Sequence, residues 1–93
     1  MLTVNTYFEG NVTSIGLKNT DGKSTVGVMA PGEYEFGTNS KEYMHIVSGT
    51  LEVKLPDNQE WKKFPKGTMF EVPCCSKFNV RCTQDVAYLC IYE

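Results

Sequence analysis

The sequence predicts an all-β fold, a sandwich or barrel made as one domain over residues 1–93. Three observations predict it. Helical periodicity is nearly absent. Short runs rich in Val, Ile, Thr and aromatic residues are broken by Gly, Pro, Asn and Asp about every ten residues. Within several runs apolar and polar residues alternate, so that one strand face is buried and the other solvated.

The runs predict strands at 11–17 (NVTSIGL), 25–30 (TVGVMA), 33–37 (EYEFG), 42–48 (EYMHIVS), 50–55 (TLEVKL), 60–64 (EWKKF), 68–72 (TMFEV), 77–83 (KFNVRCT) and 86–92 (VAYLCIY). Turn chemistry separates them. Asn19 to Gly22 offers residues that tolerate positive φ. Ser48-Gly49 reads as a tight hairpin joining 42–48 to 50–55. Pro56-Asp57-Asn58 and Pro65-Lys66-Gly67 are further reversals. In 42–48, Glu42, Met44 and Ile46 share one side, while Tyr43, His45 and Val47 share the other.

Nine Lys+Arg stand against eleven Asp+Glu, giving a net charge of −2. Lys62, Lys63 and Lys66 form the only near-cluster, which argues against a nucleic-acid partner. MLTVNTYFEG has no positive n-region or long apolar stretch, and no apolar run reaches membrane-span length. A cytoplasmic chain with no membrane partner is expected. A chain this short buries only roughly 60–65% of its unfolded surface. It gains from pairing, so a homodimer is expected, with Tyr43, His45 and Val47 on the contact face.

All four cysteines, Cys74, Cys75, Cys82 and Cys90, fall in the last quarter of the chain, without a CxxC spacing. A disulfide-stapled secreted protein would spread them. Inert thiols are expected, with Cys74-Cys75 as a bend between two strands. One histidine cannot build a transition-metal site, which needs several imidazole or thiolate ligands.

Two segments resemble the halves of the cupin signature. Gly32 stands where the first half begins, and Glu42 followed six residues later by Gly49 matches its end; the histidine positions hold Phe36 and Thr38. Gly67 and Pro73 match the second half, with Cys75 at the turn glycine and Phe78 at the histidine. The chain as a whole resembles the small cupins of the pyrimidine/purine nucleoside phosphorylase family. The stretches NTYFEGNVTSIG, VGVMAPGEYEFGT, MHIVSGTLEVKLPD, GTMFEVP and YLCIY carry this likeness. It implies a jelly-roll-like β-barrel without metal or cofactor, and phosphorolysis: a nucleoside and phosphate give ribose 1-phosphate and a free purine or pyrimidine base.

That reaction builds positive charge on the sugar. Glu42, at the cupin carboxylate position among apolar residues, is the expected catalytic anion. Strand parity, set by the motif alignment, turns Tyr34, Phe36, Thr38, Met44, Phe78, Tyr88 and Tyr92 inward as substrate-binding candidates. Core packing explains the tyrosines equally well. Phosphate falls to Ser76, Lys77 and the backbone N–H groups of the Cys74–Ser76 turn. Arg81, Glu33 and Glu35 alternate outward and read as solvated. The alternative is a metal-less cupin that binds a sugar or small aromatic metabolite and makes no bonds.

Overall fold

The structure, a computed structural model, describes residues 1–93. In chain order it holds β1 (Val4–Tyr7), a 3₁₀ turn (Phe8–Gly10), β2 (Val12–Asn19), β3 (Gly22–Met29), β4 (Gly32–Gly37), β5 (Glu42–Ser48), β6 (Thr50–Lys54), β7 (Lys62–Pro65), β8 (Met69–Val72), β9 (Lys77–Cys82) and β10 (Val86–Tyr92). No helix is long and apolar enough to cross a membrane.

The pairings nest. β6 pairs β7, β5 pairs β8, β4 pairs β9 and β3 pairs β10, all antiparallel. Successive layers of this ribbon alternate between two sheets, ordered β1-β2-β3-β10-β5-β8 and β4-β9-β6-β7. That is the wrapping of a jelly roll. The two sheets face each other without closing into a continuous barrel. Between them Val12, Leu51, Val53, Val72, Val80 and Val86 lose all exposure.

The Ser48-Gly49 bend is a corner and not a hairpin. β5 and β6 do not pair; the chain passes there from one sheet to the other. Alternation looks the same on both sides of a hairpin and of a corner, so the sequence could not separate them. Gly49 takes φ 84°, and a Cβ there would come within 2.8 Å of the Asp85 carbonyl oxygen. Only glycine fits that crossing.

The N-terminal segment is the other departure. β1 pairs along β2 from Val4↔Ile15 to Tyr7↔Val12. It ends in Phe8 and Glu9 at φ 53° and 60°, followed by Gly10 at 90°. Two non-glycine residues in left-handed backbone cost about 1–2 kcal/mol each. The result folds Phe8 onto Tyr34, with ring centroids 4.9 Å apart, and onto Phe36 at 5.5 Å.

Cys75 also has positive φ, 62°. It therefore occupies the backbone state for which the cupin signature uses glycine. Cys74 and Cys75 are joined as a vicinal disulfide, whereas Cys82 and Cys90 are free and buried. Of the four thiols expected to be inert, only Cys82 and Cys90 are thus free. The bend is tied to the β4–β5 loop by backbone: the Cys75 N–H donates to Thr38 O at 3.2 Å, and the Thr38 N–H to Ser76 O at 2.9 Å. Shape is held by those bonds, so the double variant Cys74→Ser/Cys75→Gly is expected to stay folded and to keep any turnover within about tenfold of the parent. A larger fall in a folded variant would show that the sulfurs take part.

Candidate active site

A cavity of about 300 Å³ opens between the sheets. Small-molecule sites start at about this size. Its floor is the inner face of the six-stranded sheet, where register sets the side chains in rows. Ser14 lies beside Gly27, and Gly27 beside Tyr88. Thr25 lies beside Cys90, and Cys90 beside Met44. Tyr92 lies beside Glu42. Phe36 and Phe78, paired across β4 and β9 with centroids 5.8 Å apart, form the opposite wall. Tyr7 and Phe8 close one side.

Glycine makes the floor possible. A Cβ on Gly27 would penetrate Cζ and Oη of Tyr88, so the phenol end of the Tyr88 ring rests against the bare backbone of β3.

Glu42 is half-buried here, and burial holds its carboxyl above the usual carboxylate range. The hydrogen bond it receives comes from Cys90, whose Sγ donates to Oε1 at 3.5 Å. That thiol is pushed up to about 12, first by burial and then by Glu42 itself. Burial also pushes the Tyr88 phenol up to about 12 and raises Tyr92. Tyr92 Oη and Thr25 Oγ1 share a hydrogen bond of 3.1 Å. Near neutral pH the phenols and the thiol therefore keep their protons and can donate. No lysine or arginine lines the cavity. One carboxylate thus faces neutral donors and aromatic faces, an arrangement suited to a polar uncharged ring system or to developing positive charge.

Of the residues singled out in the sequence, Glu42, Phe36, Met44, Phe78, Tyr88 and Tyr92 line this cavity. Tyr34 does not. Its hydroxyl donates to Ala30 O at 2.7 Å, which ties the β3–β4 crossing. Thr38 also serves the frame, its hydroxyl donating to Pro73 O at 2.7 Å. Ser76 Oγ donates to the same carbonyl at 2.7 Å. Lys77 is exposed and shares the outward parity of Arg81 on β9. Neither Ser76 nor Lys77 reaches the cavity lining. Glu35, expected to be wholly solvated, contributes to the rim although exposed. Arg81 is paired with Glu52 and stacked on Trp61, its guanidinium 4.1 Å from the ring centroid.

Tyr7, Phe8, Ser14, Thr25 and Met29 were missed. For Ser14, Thr25 and Met29, strand parity would have served once β3 was known to pair with β10 and β2 with β3. No group of three or more His, Cys, Asp or Glu comes together to hold a metal ion.

Comparison with known proteins assigns the chain. The family model described as pyrimidine/purine nucleoside phosphorylase matches residues 2–92. The chain belongs to that family. Proteins bearing the same name in Pseudomonas fluorescens and Pseudomonas entomophila are 54% and 55% identical to it, over 100% of this chain and 99% of each of theirs. Among solved structures, a protein of unknown function from Vibrio parahaemolyticus is 39% identical. It superposes with a TM-score of 0.95 over 100% of this chain and 99% of its own. An ethanolamine utilization protein of Salmonella typhimurium is 15% identical with a TM-score of 0.76, covering 99% of this chain and 93% of its own, which extends the fold alone.

Proposed function

We propose that this chain catalyses phosphorolysis of purine and pyrimidine nucleosides, releasing ribose 1-phosphate and the free base. The observation that carries the reading at the site is Glu42, a carboxylate held without a cation in an aromatic, hydroxyl-lined cavity of nucleoside scale. In the reaction the C1′–N bond breaks and its electron pair goes to the base nitrogen. A phosphate oxygen forms the new C1′–O bond, and a proton settles the charge on the base. Positive charge on the sugar peaks between these events, and Glu42 stabilises it there more than in the ground state. Phe36 and Phe78 offer stacking faces, which accept any base because every base has a π-face. Tyr88 and Ser14 supply hydroxyls for the ribose. A cytoplasmic setting goes with this reading.

Free base released from uridine and from adenosine, and dependent on added phosphate, is the expected result. Tight binding of nucleoside or sugar with no release at any phosphate concentration would favour the alternative, a metal-less cupin that only binds.

The outer face of the six-stranded sheet supports a homodimer. Register aligns Val4, Ile15, Val26, Leu89, His45 and Met69 in one row across all six strands. Val4, Ile15, Val26 and Met69 in that row are exposed, as are Val28 and Val47 beside it. The row holds no Lys, Arg, Asp or Glu, so a second copy meets it without like-charge repulsion. Sedimentation should give a dimer for the parent and a monomer for Val26→Asp. A monomeric parent at micromolar concentration would remove this assembly.

A further inference from the structure

The cavity has no cation, yet phosphorolysis needs a place for a phosphate dianion. Continued along its own floor, the cavity reaches one. On β3, Met29, Gly27, Thr25 and Lys23 alternate onto the cavity-facing side; on β2, Val12, Ser14, Gly16 and Lys18 do the same. Lys18 and Lys23 are direct cross-strand partners, one pair beyond Leu17↔Ser24. They are the only lysines in the strands of the six-stranded sheet, which hold no arginine, and both fall on its inner face. A groove lined by Thr3, Asn5, Gly16, Lys18, Lys23 and Thr25 follows this end of the floor. Thr25 belongs to both the groove and the cavity.

Register gives the span. Ser24 pairs Ile91 and Ile91 pairs Tyr43, so the next row runs Lys18, Lys23, Tyr92, Glu42. Lys23 stands two strands from Glu42, about 10 Å between backbones. Tyr92 lies between them, its hydroxyl bonded to Thr25. Two like charges set directly opposite across an antiparallel pair repel, and an anion seated between them reverses that cost. The acidic neighbour on this hairpin is Asp21, at its tip, where its backbone N–H is engaged by Asn19 Oδ1 at 2.8 Å. Of the other lysines, Lys41 pairs with Glu71 at 2.9 Å, Lys54 lies over Trp61, Lys77 points away by parity, and Lys62, Lys63 and Lys66 lie on or just after β7 in the other sheet.

We propose that Lys18 and Lys23, with the Thr25–Tyr92 hydroxyl pair, form the subsite for the attacking inorganic phosphate. This rests on the phosphorylase reading and adds the place of the second substrate. It moves phosphate from the Cys74–Lys77 turn to the opposite end of the sheet row.

The test compares Lys18→Gln, Lys23→Gln, their double variant and Lys77→Gln with the parent. Each single change at the pair should raise KM for phosphate about tenfold, and the double change more. KM for uridine should stay within about twofold, as should all constants of Lys77→Gln. A readout free of turnover accompanies it: inorganic phosphate, against chloride at equal ionic strength, should raise the thermal midpoint of the parent and not of the double variant. An unchanged phosphate KM and an unchanged phosphate-induced shift in the double variant would overturn the subsite. So would loss of phosphate affinity in Lys77→Gln alone. A parent that never releases base fails the phosphorylase reading instead, and the thermal shift still decides whether these lysines hold phosphate.

Discussion

Glu42→Gln is expected to lower kcat/KM by about 10²–10³ for uridine and adenosine alike, the scale of a preorganised electrostatic group. The amide keeps the shape and removes the charge. The two substrates should fall together because the proposed mechanism assigns Glu42 to the sugar and not to the base. Stability should move the other way. Burial raises the Glu42 pKa, so the folded state holds its proton more tightly than the unfolded chain does. Relative to the unfolded state, the carboxyl's contribution to stability is fully present below the ordinary carboxylate range and is lost as pH rises through the raised value. Above that window the parent carries a buried charge that the Gln variant lacks. The thermal midpoint of Glu42→Gln should therefore equal or exceed the parent's at neutral pH, and the gap should close on acidification. A variant turning over both nucleosides at the parental rate would leave Glu42 as a remnant of the cupin carboxylate and move the chemistry elsewhere.

Gly27→Ala should be the most damaging single methyl in the cavity floor. The added Cβ meets Cζ and Oη of Tyr88, a ring that is itself buried. The ring cannot stay where it is. Overpacking of this kind costs about 1–3 kcal/mol. For a chain of this length that lowers the thermal midpoint by about 4–8 °C per kcal/mol. The displaced ring enters the space assigned to the nucleoside, so the nucleoside KM should rise at least about tenfold, a step of about 1.4 kcal/mol. Shrinking the partner tests the cause. In Gly27→Ala/Tyr88→Leu the stability loss should be smaller than the sum of the two single losses, as expected for residues in contact. Additive losses, or a Gly27→Ala protein with parental stability and KM, would show that the two do not press on each other.

Much of the fold and part of the candidate site were legible along the chain. Alternation assigns a face to each residue without reference to any partner strand, because side chains in an extended chain must point to opposite sides. Hence Glu42, Met44, Phe36, Phe78, Tyr88 and Tyr92 could be turned inward together, and Tyr43, His45 and Arg81 outward. The likeness to the cupin signature also held at the backbone, where Gly49 and Cys75 both adopt positive φ. Parity does not say what an inward side chain does there. Tyr34 and Phe36 share a face of one strand, yet Tyr34 is consumed by a hydrogen bond to Ala30 O while Phe36 lines the cavity.

What the sequence by itself determined was local: strand positions, facing, and the residues able to take special backbone angles. Only the tertiary structure decided which strands became neighbours. That β5 and β6 lie in different sheets, that β3 pairs β10, and that Lys23 therefore stands in the row of Tyr92 and Glu42 are matters of long-range pairing. Phe8 shows both levels: a local turn of three successive positive-φ residues turns its ring, while the rings it meets, Tyr34 and Phe36, come from β4. Local physics is indifferent among many such pairings. The choice falls to the one that buries a common apolar face and leaves no backbone group unpaired, and that condition exists only once the whole chain has closed on itself.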